Sequence, residues 1–451
     1  MRTLTVFLRA FQTRDLRKKL LFTLGIIALF RFGATLPTPG INEKNVQFCA
    51  GLVTSSNSAS AGVYQLVNLL SGRALLQLSV FALGIMPYIT ASIILQLLTV
   101  VIPRLETLKN EGQSGQAKIT QYTRYLTIGL AVLQSTGYIE LARSGTLFQS
   151  SACTSTLNPI IPDASPFRIA TMVITMVAGT AVIMWMGELI TDRGVGNGMS
   201  VMIFTQVIAV IPGELLTIYQ TRQAFIALLS IVVVMVVVTG IVFMEQAQRR
   251  IPVQYAKRMV GRRMYGGTST YIPMKVNQAG VIPVIFASSL LYIPQLAVSL
   301  FGSSSRPQGW VSFTQRYLEI GTSNSLSTMW VYMLAFFLLI VAFTFFYVSI
   351  TFNPTEVADN MKKYGGFIPG IRPGRPTAEY LGYVLNRLTT PGSMYLGIVA
   401  LFPLVALAAI GVGNQFPFSG VSLLIMVGVG LDTVKQIESQ LQQRNYEGFL
   451  R

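Results

Sequence analysis

Side chains able to do acid–base, metal or nucleophile chemistry are scarce in this chain. It contains no histidine, which excludes imidazole general bases, His metal sites and His pH switches. Its two cysteines, Cys49 and Cys153, have neither CxxC nor metal-ligand spacing and read as two unrelated small apolar residues. Among the 17 acidic residues no paired catalytic constellation stands out. Glu188 and Asp192 border an apolar segment beside Arg193 as an interfacial charge cluster, and Asp432 sits near the end of another. No GxxxxGK[ST] phosphate loop occurs, so ATP hydrolysis within the chain is not expected. The sequence predicts no enzyme, no cofactor and no metal site.

The informative spacing is apolar. GIMPYITAS (84–92) and GVIPVIFAS (280–288) share Gly84/Gly280, Pro87/Pro283, Ile89/Ile285, Ala91/Ala287 and Ser92/Ser288 at one constant offset. A proline inside a span removes a backbone donor, and glycine allows close helix approach. Such irregular helices are tolerated beside a cavity or at a protein interface. The pair reads either as kinked packing helices or as two helices facing each other across a pathway. Ile85 and Ile89 lie one helical turn apart and point the same way. A collar of such side chains on an axis would hold back water and ions.

These segments must be positioned by a membrane-spanning scaffold. The chain is 52% hydrophobic and 11% charged, with a mean hydropathy of +0.56, well outside the soluble range. Residues 225–244 hold no charge over about the ~20 positions a span needs. Apolar segments fall at 20–36, 75–102, 122–141, 169–187 and 199–211, then at 224–244, 281–300, 326–352, 394–410 and 421–434. With five in each half, the two copies of the nine-residue motif run in opposite directions, the mark of an inverted repeat. The segment 63–72, punctuated by Asn68, Ser71, Gly72 and Arg73, is too short to cross and is predicted to re-enter.

Arg9, Arg14, Arg17, Lys18 and Lys19 precede the first apolar segment without an evident cleavage site, so it reads as an uncleaved span. Arg31 within it has snorkelling or a partner contact as its readings. Cations gather in alternate loops. One side takes the amino-terminal cluster, Arg104, Lys109, Lys118, the run from Arg249 to Lys275, and Lys362, Lys363, Arg372 and Arg375. The other has scattered cations such as Lys44 and Arg143 in loops rich in Ser, Asn, Gly and Pro. By the positive-inside rule both termini are cytoplasmic, and the net charge of +17 needs no nucleic acid to explain it. Cys49 and Cys153 fall on the other side, where a disulfide between them is open in an oxidising compartment.

FALGIMPYITASIILQLL (81–98), QYTRY (121–125), RGVGNGMS (193–200), QRRIPVQYAKR (248–258), NQAGVIPVIFASS (277–289), FNPTEVADNMKKYGGFIPGIRPG (352–374) and GVSLLIMVGVGLD (420–432) together resemble the SecY family, the pore-forming subunits of the bacterial protein-translocation channel. The resemblance implies an all-α integral membrane protein with ten transmembrane helices in two inverted five-helix halves and a short re-entrant plug helix. On that layout 1–19 is a cytoplasmic segment, 20–212 the first half with the plug at 63–72, 213–436 the second half with basic cytoplasmic loops at 245–276 and 353–388, and 437–451 a tail.

The resemblance also implies site residues. The pore ring would be Ile85, Ile89, Met199, Ile203, Ile285 and Ile425, with Met199 standing where the family has isoleucine. The plug would be Val63, Tyr64, Gln65, Leu66, Val67, Asn68, Leu69, Leu70, Ser71 and Gly72. Ser92, Gln96 and Asn277 would be polar contacts of a lateral gate between spans two and seven, with ordinary interhelical packing bonds as the other reading of the two amides. Lys257, Arg258, Arg262, Arg263, Arg372 and Arg375 would dock a ribosome or motor through bidentate guanidinium bonds. Implied partners are SecE- and SecG-type small membrane subunits, a SecA-type ATPase motor, the ribosome, signal-sequence-bearing polypeptides and membrane lipid. The implied location is a bacterial-type plasma membrane, or a thylakoid membrane. Apart from the resemblance, composition leaves a secondary transporter open, since inverted repeats and broken helices are frequent there. Such proteins place a charged coupling site near the midplane, and the apolar collar argues against one. An intramembrane enzyme is disfavoured by the missing histidine.

Overall fold

The computed structural model describes residues 11, 13–55, 74, 77–144, 159–162, 165–221, 224–255, 258–260, 263–265, 269–301, 309, 326–410 and 420–447. The predicted plug, 63–72, lies outside them, as do Lys257 and Arg262. Each of the ten apolar segments holds a helix over part or all of its length. In chain order the helices of the first half are α1 (Arg14–Thr35), α2 (Glu43–Ser55), α3 (Met86–Val101), α4 (Pro103–Asn110), α5 (Gln113–Ser144), α6 (Pro166–Arg193) and α7 (Gly198–Thr221). Then come α8 (Ala224–Gln246), α9 (Ile282–Phe301), α10 (Leu326–Thr351), α11 (Pro354–Lys363), α12 (Arg375–Ile410) and α13 (Gly420–Glu447). By length and apolarity, three stretches among the described residues could each cross a membrane: Pro166–Arg193, Trp330–Lys363 and Gly420–Gln442. The bent pair α3–α4, turning through 106°, makes a fourth if it is one span. Shorter apolar stretches lie at Gly198–Pro212, Ile231–Gln246 and Ile282–Leu291. Large apolar side chains such as Phe32, Trp185, Phe243 and Ile398 are exposed on the outer faces, as lipid contact requires.

Several boundaries differ from the sequence reading. The second apolar segment becomes helical only at Met86, because Leu78 and Gly84 both take left-handed backbone angles (φ +46° and +56°). The chain before α3 instead pairs with the chain after α1: Val80 N–H donates to Leu36 O at 2.9 Å and Thr38 N–H to Leu78 O at 3.0 Å. The division at 212–213 falls inside α7, which runs through Pro212, and α13 continues helical into the predicted tail. The ninth segment begins at Arg375 rather than 394, since Leu381, Val384 and Leu385 already form a buried stripe while Glu379, Tyr383 and Arg387 face outward.

The basic loops are not plain coil. Strand β1 (Gln248–Tyr255) pairs antiparallel with β4 (Ser269–Lys275) and, on its other edge, with β5 (Gly366–Phe367). A second hairpin joins β2 (Arg258–Val260) to β3 (Arg263–Tyr265). Alternation in β1 turns Ile251 and Val253 inward, where they pack with Met274, Met361, Ile368 and Leu381. One small core thus joins both basic loops into a single platform.

Helix neighbours follow the same order in each half: α3 on α5, α5 on α6, α6 on α7; then α9 on α10, α10 on α12, α12 on α13. The two groups meet where α7 packs on α13 and α8, and where α9 approaches α3 and α5. Near the start of α3, Cys49 of α2 is buried beside Leu78, Ala131, Ile160 and Met172. It is disulfide-bonded, so it is not merely a small apolar residue; Cys153 lies outside the described residues.

Candidate channel axis and gate

Helices α3 and α9 start alike. Gly84 and Gly280 have φ of +56° and +61°, each followed after one residue by the first helical residue and then by proline. A left-handed residue halts the preceding turn, and a proline in the first helical turn costs no hydrogen bond because its N–H would have been unpaired there. Ile89 N–H then reaches back to Ile85 O at 3.1 Å, and Ile285 N–H to Val281 O at 3.3 Å, the same bond at equivalent repeat positions. The shared sequence is therefore shared geometry.

The six residues of the expected ring fall in two adjoining apolar clusters that share Ile89 and Ile203. Ile85 packs with Ile89, Met199 and Ile203 in one apolar cluster. Ile89 and Ile203 also join Ile285 and Ile425 in a second. Ile85 and Ile425 are each only 1% exposed. At Met199, the start of α7 is fixed by Asn197, whose Oδ1 accepts from Met199 N–H at 3.1 Å and Ser200 N–H at 3.4 Å. Gly187 of α6 leaves the room its sulfur occupies: a Cβ there would lie 2.5 Å from Met199 Sδ. The flexible thioether fills a slot that a branched side chain would fill differently.

A cavity of about 470 Å³ opens on one side of these residues, lined by Ile89, Met199, Ile203 and Ile285 and by Ser92 and Gln96 of α3 and Phe286 of α9. Its floor is aliphatic and its wall polar. Arg124 of α5 and Glu188 of α6 stand in that wall as a fork-to-fork pair, Nε–Oε1 and Nη2–Oε2 both 2.8 Å. Their side chains are 44% and 24% exposed, and the pair cross-braces two helices. Nothing in the sequence joins Arg124 of QYTRY to Glu188 beside Arg193; the pairing depends on the packing of α5 against α6.

The predicted gate residues separate. Gln96 and Ser92 are neighbours on α3, 3.5 Å apart, and both face the cavity. Asn277 is buried and bonds elsewhere: its Nδ2 donates to Glu245 Oε1 at 2.5 Å and to Gly280 O at 3.1 Å. Gln96 and Asn277 are not bonded to each other across the gate. Asn277 secures the left-handed turn at Gly280 to the end of α8. Glu245 escaped the sequence reading; the one charge closing the long apolar run of α8 was its signal.

Of the predicted docking residues, Arg372 and Arg375 are exposed. Arg375 Nε pairs with Glu379 at 3.2 Å, and Arg372 O accepts from Thr377 Oγ1 at 2.9 Å, fixing the turn into α12. Arg258 and Arg263 lie in the β2–β3 hairpin. Among the described residues no group of His, Cys, Asp and Glu could hold a metal ion.

The SecY family model matches residues 79–434. A protein translocase subunit SecY of Streptomyces scabiei is 63% identical over 452 aligned positions, covering 99% of this chain and 100% of the relative. One of Mycobacterium bovis is 57% identical over 454, with the same coverage. Among solved structures, one described as a protein conducting channel superposes with a TM-score of 0.60 at 19% identity, covering 93% of this chain and 91% of that one. Sec61 of a canine ribosome-channel complex superposes with a TM-score of 0.59 at 18% identity, with the same coverage. With full-length relatives at this identity and a family match over most of its length, the chain belongs to the SecY family of membrane channel subunits.

Proposed function

We propose that the chain is the central subunit of a protein-conducting channel that passes unfolded secretory polypeptides across the membrane and releases apolar segments sideways into lipid between α3 and α9. The observation that carries this reading is the pairing of two identically built helix starts with one aliphatic ring beneath a polar-walled cavity. The ring closes the axis to water and ions by dewetting. An unfolded chain is apolar enough on average to replace those contacts, whereas a hydrated ion is not. The equivalent neighbour order in the two groups of helices supports two inverted five-span halves, ten spans in all, that rock apart about α7, α8 and α13.

Lateral release is favoured by where α3 and α9 stand: both border the cavity, and few contacts hold them together. On this reading 63–72 is the plug. Energy comes from outside the chain, from a SecA-type motor or a ribosome seated on the platform of β1, β4, β5 and the start of α12, with SecE- and SecG-type subunits alongside. The loop charges support cytoplasmic termini and a plasma-membrane location, or a thylakoid one. The test is reconstitution of the chain with a SecE-type subunit, a SecA-type motor and a secretory precursor. ATP-dependent protection of the precursor from added protease is expected, and protection that does not require this chain would sink the reading.

A further inference from the structure

Residue 206 continues the face of α7 that carries the ring. Met199, Ile203 and Gln206 follow at four- and three-residue steps, so they lie on one side of the helix. Met199 and Ile203 border the cavity; Gln206 does not. It stands one turn beyond Ile203, on the far side of the ring, and is only 1% exposed. Its carboxamide lies against the left-handed turn that starts α3, because a Cβ on Gly84 would come within 2.7 Å of Gln206 Nε2.

Neither polar atom of that carboxamide has a partner: Nε2 and Oε1 are both buried and unbonded. Gln206 is the one side chain among the described residues with two such atoms. Folded interiors rarely leave an amide in this condition, since a buried donor without an acceptor bears its full desolvation cost. The equivalent turn at Gly280 shows the ordinary solution, its carbonyl bonded by Asn277. Gln206 packs against Gly84 without such a bond.

A polypeptide crossing an aliphatic ring has the complementary deficit. Its main chain is extended, and its N–H and C=O groups find no partner among isoleucine side chains. A primary carboxamide offers two donors and an acceptor, the complement of one peptide unit. We infer that Gln206 is a main-chain binding site for the polypeptide in transit, unpaired while the ring is shut and satisfied by passing backbone once it opens. Recognition of backbone rather than side chain suits a passage that takes unrelated sequences. The inference rests on the channel reading above and adds to it a specific polar contact past the seal.

Gln206→Met keeps the side-chain length and removes both polar atoms. In the reconstituted system it is expected to slow transit by about three- to tenfold, the size of one lost neutral hydrogen bond, while leaving thermal stability in detergent unchanged or raised. Transit at the parent rate would overturn the assignment. So would a lowered stability, which would show the amide bonded in the resting protein. A second readout does not depend on Met being tolerated: with a mild thiol oxidant added, Gln206→Cys should form a disulfide with a single-cysteine precursor arrested in the channel, at a register one turn beyond that captured by Ile203→Cys. Capture by Ile203→Cys alone, at every register tried, would also overturn it. If the parent chain itself protects no precursor, the channel reading fails, a result separable from either variant.

Discussion

The turns at Gly84 and Gly280 have one backbone and two kinds of support. At Gly280 a hydrogen-bonded chain runs from Glu245 through Asn277 to the glycine carbonyl, and no atom stands where a Cβ would go. At Gly84 the space is filled by the Gln206 carboxamide, which makes no bond at all. The repeat thus preserves the shape of both helix starts while differentiating what holds them. One start is tied to α8 through side-chain hydrogen bonds; at the other the side chain that meets the glycine only packs against it. A channel that opens along α3 and α9 can keep one helix anchored and let the contacts of the other exchange.

The largest effect should come from breaking the tied side. Asn277→Leu leaves the Glu245 carboxyl group buried without its amide, a change expected to cost about 2–3 kcal/mol and to appear as a markedly lower unfolding temperature in detergent. Glu245→Gln, which preserves an amide–amide bond, should cost less than half as much. Equal losses for the two variants would show that the pair is not what secures the turn.

Next in size is the glycine comparison itself. Alanine at either site takes on left-handed strain of about 1–2 kcal/mol, but Gly84→Ala also collides with Gln206 and should be the more destabilising of the two by thermal unfolding. Adding Gln206→Ala to Gly84→Ala should bring it down to the level of Gly280→Ala. A Gly280→Ala at least as damaging as Gly84→Ala would contradict the difference drawn here. Arg124→Lys loses the fork across α5 and α6, and because the pair is part-exposed the expected loss is about 0.5–1 kcal/mol. Lys275→Ala removes a 3.5 Å contact with an Asp432 side chain that is 63% exposed. It should change stability by less than about 0.5 kcal/mol.

Much of this comparison was legible in the sequence. Gly and Pro at fixed positions in two distant segments announce two equivalent irregular helices, expected as prolines inside spans; the structure instead puts each proline in the first turn of a helix that follows a left-handed glycine. Helical spacing shows that Ile85 and Ile89 share a face; Met199, Ile203, Ile285 and Ile425 are implied only by the family resemblance. What escaped were features that depend on a third element. Gln206 is an ordinary polar residue within an apolar run; that its amide is unpaired follows from where α3 places Gly84. Asn277 carried the right type for a gate contact, yet its nearest acceptor proved to be Glu245 at the end of α8. The start of α3 was placed eleven residues too early, because 75–85 is apolar enough for a span and only the pairing of 36–38 with 78–80 pulls it out of helix. The sheet was hidden within basic loops, where the alternation around Ile251 and Val253 is short.

The central claim is that polypeptide passes the aliphatic ring only when α3 and α9 part. Ser92 on α3 and Phe286 on α9 border the same cavity. A Ser92→Cys/Phe286→Cys chain joined by a short bifunctional thiol reagent, in the reconstituted system, tests the claim directly. The account predicts that joining the two helices abolishes ATP-dependent protection of the precursor, while the uncrosslinked double variant retains it. Undiminished protection at complete crosslinking would contradict the account.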